Sequence, residues 1–145
     1  MFTFEDTSEC TYYFTWTTPH ACPVSESSEQ CLVRQGDRLY DLSPLSASAA
    51  KGAVAVKNSP DKILINVCAA VQSERCPDGS GACLLREGES PLSLGRFADV
   101  VPAVDAGGVA FLRYAGGDTC HEGTYSTQIT FVCSKTVRLR VLERL

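Results

Sequence analysis

The sequence is poor in the features that membrane insertion needs. Its longest apolar stretches, such as 63–67 and 100–104, are far shorter than the roughly 20 residues of a membrane-spanning helix. Glu5 and Asp6 stand where a secretion signal would carry a basic segment followed by an apolar one. The sequence therefore predicts no direct membrane insertion, and it is expected to be an excised piece if the protein is secreted.

Clustered positive charge and catalytic motifs are also missing. The 13 lysines and arginines are scattered along a chain of net charge -4, which excludes the basic face that nucleic-acid binding requires. No G-x-S-x-G motif occurs, and neither Gly107-Gly108 nor Gly116-Gly117 is followed by the Lys-Ser/Thr of a phosphate loop. We therefore predict no nucleic-acid partner, no enzymatic activity and no cofactor.

Cysteine, by contrast, is abundant. The 8 cysteines include no C-x-x-C pair and no two within four residues, so neither a redox motif nor a common zinc site is predicted. His20 precedes Cys22 by two residues and His121 follows Cys120, but neither pair has a matching counterpart. We expect structural disulfides and a location outside the cytosol, and the residues alone leave the connectivity open.

Short apolar and β-branched stretches recur between Gly, Pro and Asp turn signals. They predict an all-β sandwich or flattened barrel, with strands over 12–17, 53–56, 63–67, 109–114 and 128–132. A short helix is predicted over 46–51, and 137–145 fits either a helix or a strand. Alternate members of the aromatic run from Tyr12 to Trp16 are expected to face the core; a sugar-stacking platform is the alternative.

An ordered set of motifs identifies a family. The chain resembles the repeats of the cation-independent mannose 6-phosphate receptor, also the insulin-like growth factor II receptor, in these segments: Cys10 to Trp16, Ala21-Cys22-Pro23, Leu39 to Leu45, Ile63 to Cys68, Gly81-Ala82-Cys83, Leu94-Gly95-Arg96, Gly116 to Cys120 and Ile129 to Cys133. The resemblance implies a flattened antiparallel β-barrel of two crossed sheets. It also implies four disulfides: Cys31-Cys68, Cys76-Cys83, Cys10-Cys120 and Cys22-Cys133.

The order of the segments differs from the family pattern. A segment like 10–22 comes last in the family's repeats, whereas here it comes first. Either the piece joins the tail of one repeat to most of the next, or the domain is circularly permuted. We predict that residues 1–24 form a hairpin that supplies the last strands, that 25–30 are a linker, and that 31–145 are the main body of one compact domain. Two chains exchanging hairpins as a swapped dimer is the alternative.

The sugar-binding repeats of the family share four positions, two of which are lost here. Leu84 stands where a Gln should follow Cys83, and Tyr125, or a neighbour such as Ser126, stands where an Arg should be. Tyr12 matches the Tyr of the hairpin, and Glu5 or Asp6 lies near the position of the Glu. Because the Arg is the best donor to the sugar, the resemblance implies weak or no binding of mannose 6-phosphate.

The resemblance thus predicts a luminal repeat of a lysosomal-enzyme sorting receptor, in the Golgi or endosome lumen or at the cell surface. It would serve mainly as a scaffold beside neighbouring ligand-binding repeats. The alternative is an active module for a glycoprotein ligand or for insulin-like growth factor II. Leu84 is the hint toward a growth-factor patch, although a leucine beside a disulfide is more often core. His20 and His121 are either pH sensors or, as we favour, solvated loop residues.

Overall fold

Strands make up most of the backbone that the computed structural model describes. The described residues are 2–8, 10–24, 31–48, 54–55, 62–98, 100, 102–121 and 123–135. Of these, 2–8, 47–48 and 54–55 are described by their backbone alone. The strands there are β1 (Phe2–Ser8), β2 (Thr11–Thr18), β3 (Leu32–Gln35), β4 (Arg38–Asp41), β5 (Val54–Ala55), β6 (Lys62–Ile65), β7 (Ser80–Leu85), β8 (Leu92–Arg96), β9 (Ala103–Val104), β10 (Ala110–Tyr114), β11 (Thr119–Cys120), β12 (Gly123–Thr124) and β13 (Ser126–Cys133). The described helices are a 3-10 turn, Pro19–Ala21, and α1, Ser43–Ser48.

The all-β prediction is confirmed, and each of the five predicted strands corresponds to a strand of the structure. The predicted helix over 46–51 overlaps α1, which begins earlier, where the Asp41 carboxylate accepts a hydrogen bond from the Ser43 N–H at 2.9 Å, and residues 49–51 lie outside the described residues. The predicted linker 25–30 and the segment 137–145 lie outside the described residues. The division into hairpin, linker and body therefore stays a prediction.

Two sheets carry most of the strands. One has the order β1-β2-β13-β10-β9, the other the order β5-β6-β7-β8, and β3-β4 and β11-β12 form small ribbons. In the described backbone the two large sheets are joined along one side by a bridge between Arg96 and Ala115 and by the Asp118 N–H donating to the Ser93 carbonyl at 2.9 Å. The assembly is therefore flattened and is not closed into one barrel.

One pairing departs from the antiparallel pattern that the resemblance implies. The N-terminal hairpin of β1 and β2 enters the larger sheet, and β2 runs parallel to β13 along its whole length, with Thr11 opposite Ser126 and Thr18 opposite Cys133. Because β2 and β13 are far apart in the sequence, no tight turn fixes their relative direction. The hairpin supplies strands to the sheet of the later residues, as predicted.

The inner faces of the two sheets share one core. Alternate residues of β2, namely Tyr12, Phe14 and Trp16, are buried, which confirms the predicted orientation of the aromatic run. They belong to one apolar cluster with Leu84 of β7 and Ile129 of β13. Burial of large side chains from both sheets in one cluster is the main force holding the layers together.

The central strands of the smaller sheet are covered on both sides. All six residues of β7 are buried, and Leu64, Cys76, Cys83 and Leu85 form a second cluster with Val71 packed against it. The Cys76-Cys83 bridge belongs to this second cluster. Because neither face of β7 meets water, its sequence shows no polar alternation.

Tyr114 ties the two sheets together at the end of β10. Its side chain is fully buried, and its hydroxyl donates to the Asn66 carbonyl at 2.8 Å and accepts from the Cys68 N–H at 3.0 Å. Both partners lie in the loop that follows β6, in the opposite sheet. Burial raises the pKa of the Tyr114 phenol, and the backbone hydrogen bonds only partly offset that effect.

Two glycines make room for this tyrosine. A Cβ at Gly81 would overlap the Tyr114 ring, and a Cβ at Gly95 would overlap the Tyr114 backbone. Gly95 also has a φ of 147°, which disfavours any side chain there. The two sheets can lie in contact here because Gly81 on β7 and Gly95 on β8 place no side chain against Tyr114.

We expect Tyr114→Phe to lower the free energy of unfolding by about 1–3 kcal/mol, because the buried Asn66 carbonyl and the partly buried Cys68 N–H lose their partner. Urea denaturation followed by circular dichroism measures the change. Tyr13→Phe is the control, since Tyr13 is only half-buried on the same sheet and the substitution removes the same hydroxyl. Equal stability of the Tyr114→Phe and wild-type proteins would contradict the assigned hydrogen bonds.

The pH dependence of stability provides a second readout of the same variant. The phenol is held neutral in the folded protein and ionises more easily when unfolded, so its contribution is fully present below the unfolded pKa of about 10 and is lost as the pH rises above it. We expect Tyr114→Phe to flatten this alkaline loss and Tyr13→Phe to leave it in place. A wild-type stability that does not fall above about pH 10 would argue against a buried phenol.

We expect Gly81→Ala to destabilise the protein by about 1–3 kcal/mol, because the added Cβ would overlap the fully buried Tyr114 ring. Gly123→Ala is the matched control: no atom lies within 4 Å of its added Cβ, so the same substitution should be neutral. Thermal unfolding of the two variants side by side makes the comparison. Equal melting temperatures would show that the Gly81 backbone does not lie against the Tyr114 ring.

Candidate functional site

Three of the predicted sugar-site positions lie in or against one apolar cluster. Tyr12 on β2 is 9% exposed and Leu84 on β7 is 2% exposed, and both belong to the core shared by the two sheets. Tyr125, immediately before β13, is partly buried and packs against the same cluster. The hairpin, the smaller sheet and the body of the larger sheet each contribute one of these residues.

The two tyrosines are in contact. The ring centroids of Tyr12 and Tyr125 are 6.2 Å apart, with the ring planes tilted by 57°. This separation lies in the range in which aromatic pairs attract each other. Tyr125, one of the residues predicted to stand at the position of the family's Arg, is therefore in contact with Tyr12, which is predicted to match the family's Tyr.

The backbone holds Tyr125 firmly in this place. Its N–H donates to the Asp118 carbonyl, and its carbonyl accepts from the Gly117 N–H, both at 2.9 Å. The Asp118 carboxylate in turn accepts from the Ser93 N–H at 2.8 Å. A Cβ at Gly117 would overlap the Ser93 carbonyl, so this approach requires glycine. The sequence motif Gly116-Gly117-Asp118 signals a turn but not this anchoring.

Leu84 offers no hydrogen-bonding group to a sugar. It pairs with Ile63 on β6 and with Leu92 on β8, within the centre of the smaller sheet. Its burial agrees with the core interpretation and leaves little of its side chain for a growth-factor surface. Among the buried side chains that the structure describes, no nitrogen or oxygen lacks a hydrogen-bond partner, so no orphaned polar atom marks a ligand position there.

The two acidic candidates are located only through their backbone. Glu5 and Asp6 lie on β1, whose register shifts between Phe4 and Asp6, as in a β-bulge. Asp6 is paired with Tyr13, and it is Thr7 that stands opposite Tyr12. The side chains of Glu5 and Asp6 are outside the described part of the structure, and their role as sugar-site remnants stays a prediction.

Disulfides fix both ends of the strand that carries Tyr12. Cys10-Cys120 lies at its start, and Cys22-Cys133 lies beyond its end, with sequence separations of 110 and 111 residues. The structure also contains Cys31-Cys68 and Cys76-Cys83, so the four bridges are the pairings that the resemblance implies. Tyr12 is therefore held against the body from both sides.

Ser126, the alternative predicted for the position of the family's Arg, lies in a polar cluster on the outer face of the larger sheet, and the sequence did not predict the other members of this cluster. The guanidinium of Arg113 donates to Gln128 at 3.3 Å and to Ser126 at 3.4 Å, and the Ser126 and Thr11 hydroxyls are 2.8 Å apart. The alternation of Ser126 and Gln128 in β13 was the available signal. This cluster faces away from Tyr12, which lies on the inner face.

The cysteines and histidines form no ligand set in the described residues. All 8 cysteines are in disulfides, so none offers a thiolate to a metal. Across the described ranges no three His, Cys, Asp or Glu side chains are grouped closely enough to hold a metal ion. His121 is exposed in a turn, and His20 is half-buried in the 3-10 turn. No described helix is long and apolar enough to span a membrane.

Comparison with known proteins gives two consistent matches. The model of the cation-independent mannose-6-phosphate receptor repeat matches residues 1–121. The human cation-independent mannose-6-phosphate receptor is 37% identical over 140 residues, which is 91% of this chain and 6% of the receptor's length. The chain thus spans a small part of that relative.

The family match runs as one continuous segment from residue 1 through the hairpin and into the body. The predicted division into a hairpin that resembles the end of a repeat and a main body stays a prediction. Together with the fold and the four disulfides, the matches show that the chain belongs to the family of cation-independent mannose-6-phosphate receptor repeats.

Proposed function

We propose that the chain is a luminal or extracellular repeat of a lysosomal-enzyme sorting receptor and serves mainly as a scaffold. Its sugar site is closed by its own side chains. The observation that carries this proposal is that Leu84 is 2% exposed while Tyr125 contacts Tyr12. The space that a sugar would need beside the hairpin tyrosine is thus used for packing.

Sugar binding needs donors and acceptors aimed at the hydroxyl groups. An Arg at position 125 would supply five N–H donors, and a Gln at position 84 would supply both a donor and an acceptor. Leucine supplies neither, and tyrosine supplies one hydroxyl without the positive charge that a carboxylate partner needs. A sugar entering this region would lose its water partners without replacing them.

The same residues support a structural role. Leu84, Tyr12 and their neighbours form a continuous core between the two sheets, and a rigid core fixes the geometry of a module in a longer array. The four disulfides argue for an oxidising compartment, consistent with the receptor's luminal or extracellular side. The partners proposed for this module are neighbouring repeats of the same receptor.

We expect the wild-type chain to pass through mannose 6-phosphate coupled to agarose without specific retention. Retention that free mannose 6-phosphate reverses would contradict the scaffold role and favour an active lectin module. The human receptor, loaded on the same column, is the positive control that shows whether the coupled sugar can be bound.

A double variant tests whether the closed region is a former sugar site. Leu84→Gln with Tyr125→Arg should gain retention that free sugar reverses, at a stability cost of about 1–3 kcal/mol for the buried amide. The control is Leu84→Gln with Tyr13→Arg, which adds the same groups but places the Arg on the outer face of the sheet. Equal behaviour of the two variants, both folded by circular dichroism, would show that positions 84 and 125 never formed the site.

A further inference from the structure

The hairpin and the body are joined by an interface much larger than their covalent connection. β2 pairs with β13 over eight residues, and Phe14 and Trp16 bury their rings in the core that the body provides. Trp16 and Phe131 lie with ring centroids 6.3 Å apart. Only the six residues 25–30 connect the two parts along the chain.

Both ends of this connection are attached to the same place. The Val24 N–H donates to the Leu39 carbonyl at 2.8 Å, and the Leu42 N–H donates to the Cys31 carbonyl at 3.0 Å. Leu39 and Leu42 are three residues apart, which is at most about 10 Å of extended chain. Seven Cα–Cα steps from Val24 to Cys31 reach roughly 25 Å, so the connection is long enough for the hairpin to be seated on the body of its own chain.

The reach of this connection also permits two copies of the chain to exchange their hairpins. If the hairpin sits on a second copy, Val24 lies beside Leu39 of that copy while Cys31 stays beside Leu42 of its own. The connection then spans from one β4 to the other, which is satisfied whenever the two β4 strands lie within roughly 25 Å. The pairing of β2 with β13, the aromatic contacts and both disulfides are identical in the two arrangements.

We propose that the hairpin is an exchangeable element, and that the face of the body formed by β13 and the inner core accepts the hairpin of a second copy of this chain. The recognition is strand addition to the β13 edge, with Tyr12, Phe14 and Trp16 as the anchoring side chains. Oxidation of the thiol pairs Cys10 with Cys120 and Cys22 with Cys133 locks the donated hairpin in place. Each bridge forms with loss of two electrons and two protons to an added disulfide oxidant such as oxidised glutathione.

This inference does not depend on the proposed scaffold role, since it concerns how the fold is completed and not what the module binds. A lectin module with the same hairpin would exchange it equally well. Its failure would leave the sugar-binding result unaffected, and the reverse also holds.

Two complementary variants of the full chain test the exchange. One carries Cys10→Ser and Cys22→Ser and lacks the hairpin thiols; the other carries Cys120→Ser and Cys133→Ser and lacks the body thiols. Neither can form these two bridges with itself. Mixed and refolded with reduced and oxidised glutathione, they should give a disulfide-linked heterodimer in which peptide mapping finds Cys10-Cys120 and Cys22-Cys133 between chains.

Each variant refolded alone is the control and should give no such dimer. The wild-type chain, refolded over a rising protein concentration, guards against a simple failure of the variants to fold: its fraction of disulfide-linked dimer should increase with concentration. The proposal is overturned if the mixed variants stay separate and the wild-type chain forms only four-bridge monomers at every concentration.

Discussion

The parallel pairing of β2 with β13 is the contact on which the rest of the structure depends. It brings the aromatic face of the hairpin onto the core of the body, with Phe14 opposite Ile129 and Trp16 opposite Phe131. The disulfides at both ends of β2 convert a contact between distant segments into a covalent one. Loops closed over so many residues strongly restrict the unfolded chain, so in the loop-entropy model these two bridges contribute more than the short Cys76-Cys83 loop.

Tyr114 performs the corresponding task between the two sheets. Asn66 and Cys68 lie in the loop after β6. The Tyr114 hydroxyl accepts a hydrogen bond from the Cys68 N–H and donates one to the Asn66 carbonyl, in the place of water. The Cys68 backbone lies at a φ of 55°, a conformation uncommon for a side-chain-bearing residue, and the bridge to Cys31 fixes it there. Three features thus act together to connect the two sheets: Tyr114, the Cys31-Cys68 disulfide, and the glycines of β7 and β8 that leave room for Tyr114.

Two kinds of local pattern predicted strands: alternation of apolar and polar residues in β2 and β13, and an apolar run in β6, where Ile63, Leu64 and Ile65 are all buried. β2 and β13 alternate between buried and more exposed residues, so their periodicity is visible. β7 is buried on both faces, and its Ser-Gly-Ala-Cys-Leu-Leu sequence has no alternation to detect. The parallel direction of β2 was not predictable, because it depends on a partner more than one hundred residues away and on no local turn.

The candidate site was predictable only in part, for the same reason. Leu84 and Tyr125 lack the amide and the guanidinium that the resemblance implies for a sugar site, and this is visible in the sequence; the contact between Tyr125 and Tyr12 arises from the hairpin's position and is not. In a sugar site, an Arg and a Gln held between two sheets cost desolvation free energy that only a ligand or a full set of partners offsets. Leu84 and Tyr125 carry no such cost and add apolar packing between the hairpin and the body. In the proposed function, the absence of sugar binding and a firmer scaffold therefore follow from one and the same pair of residues.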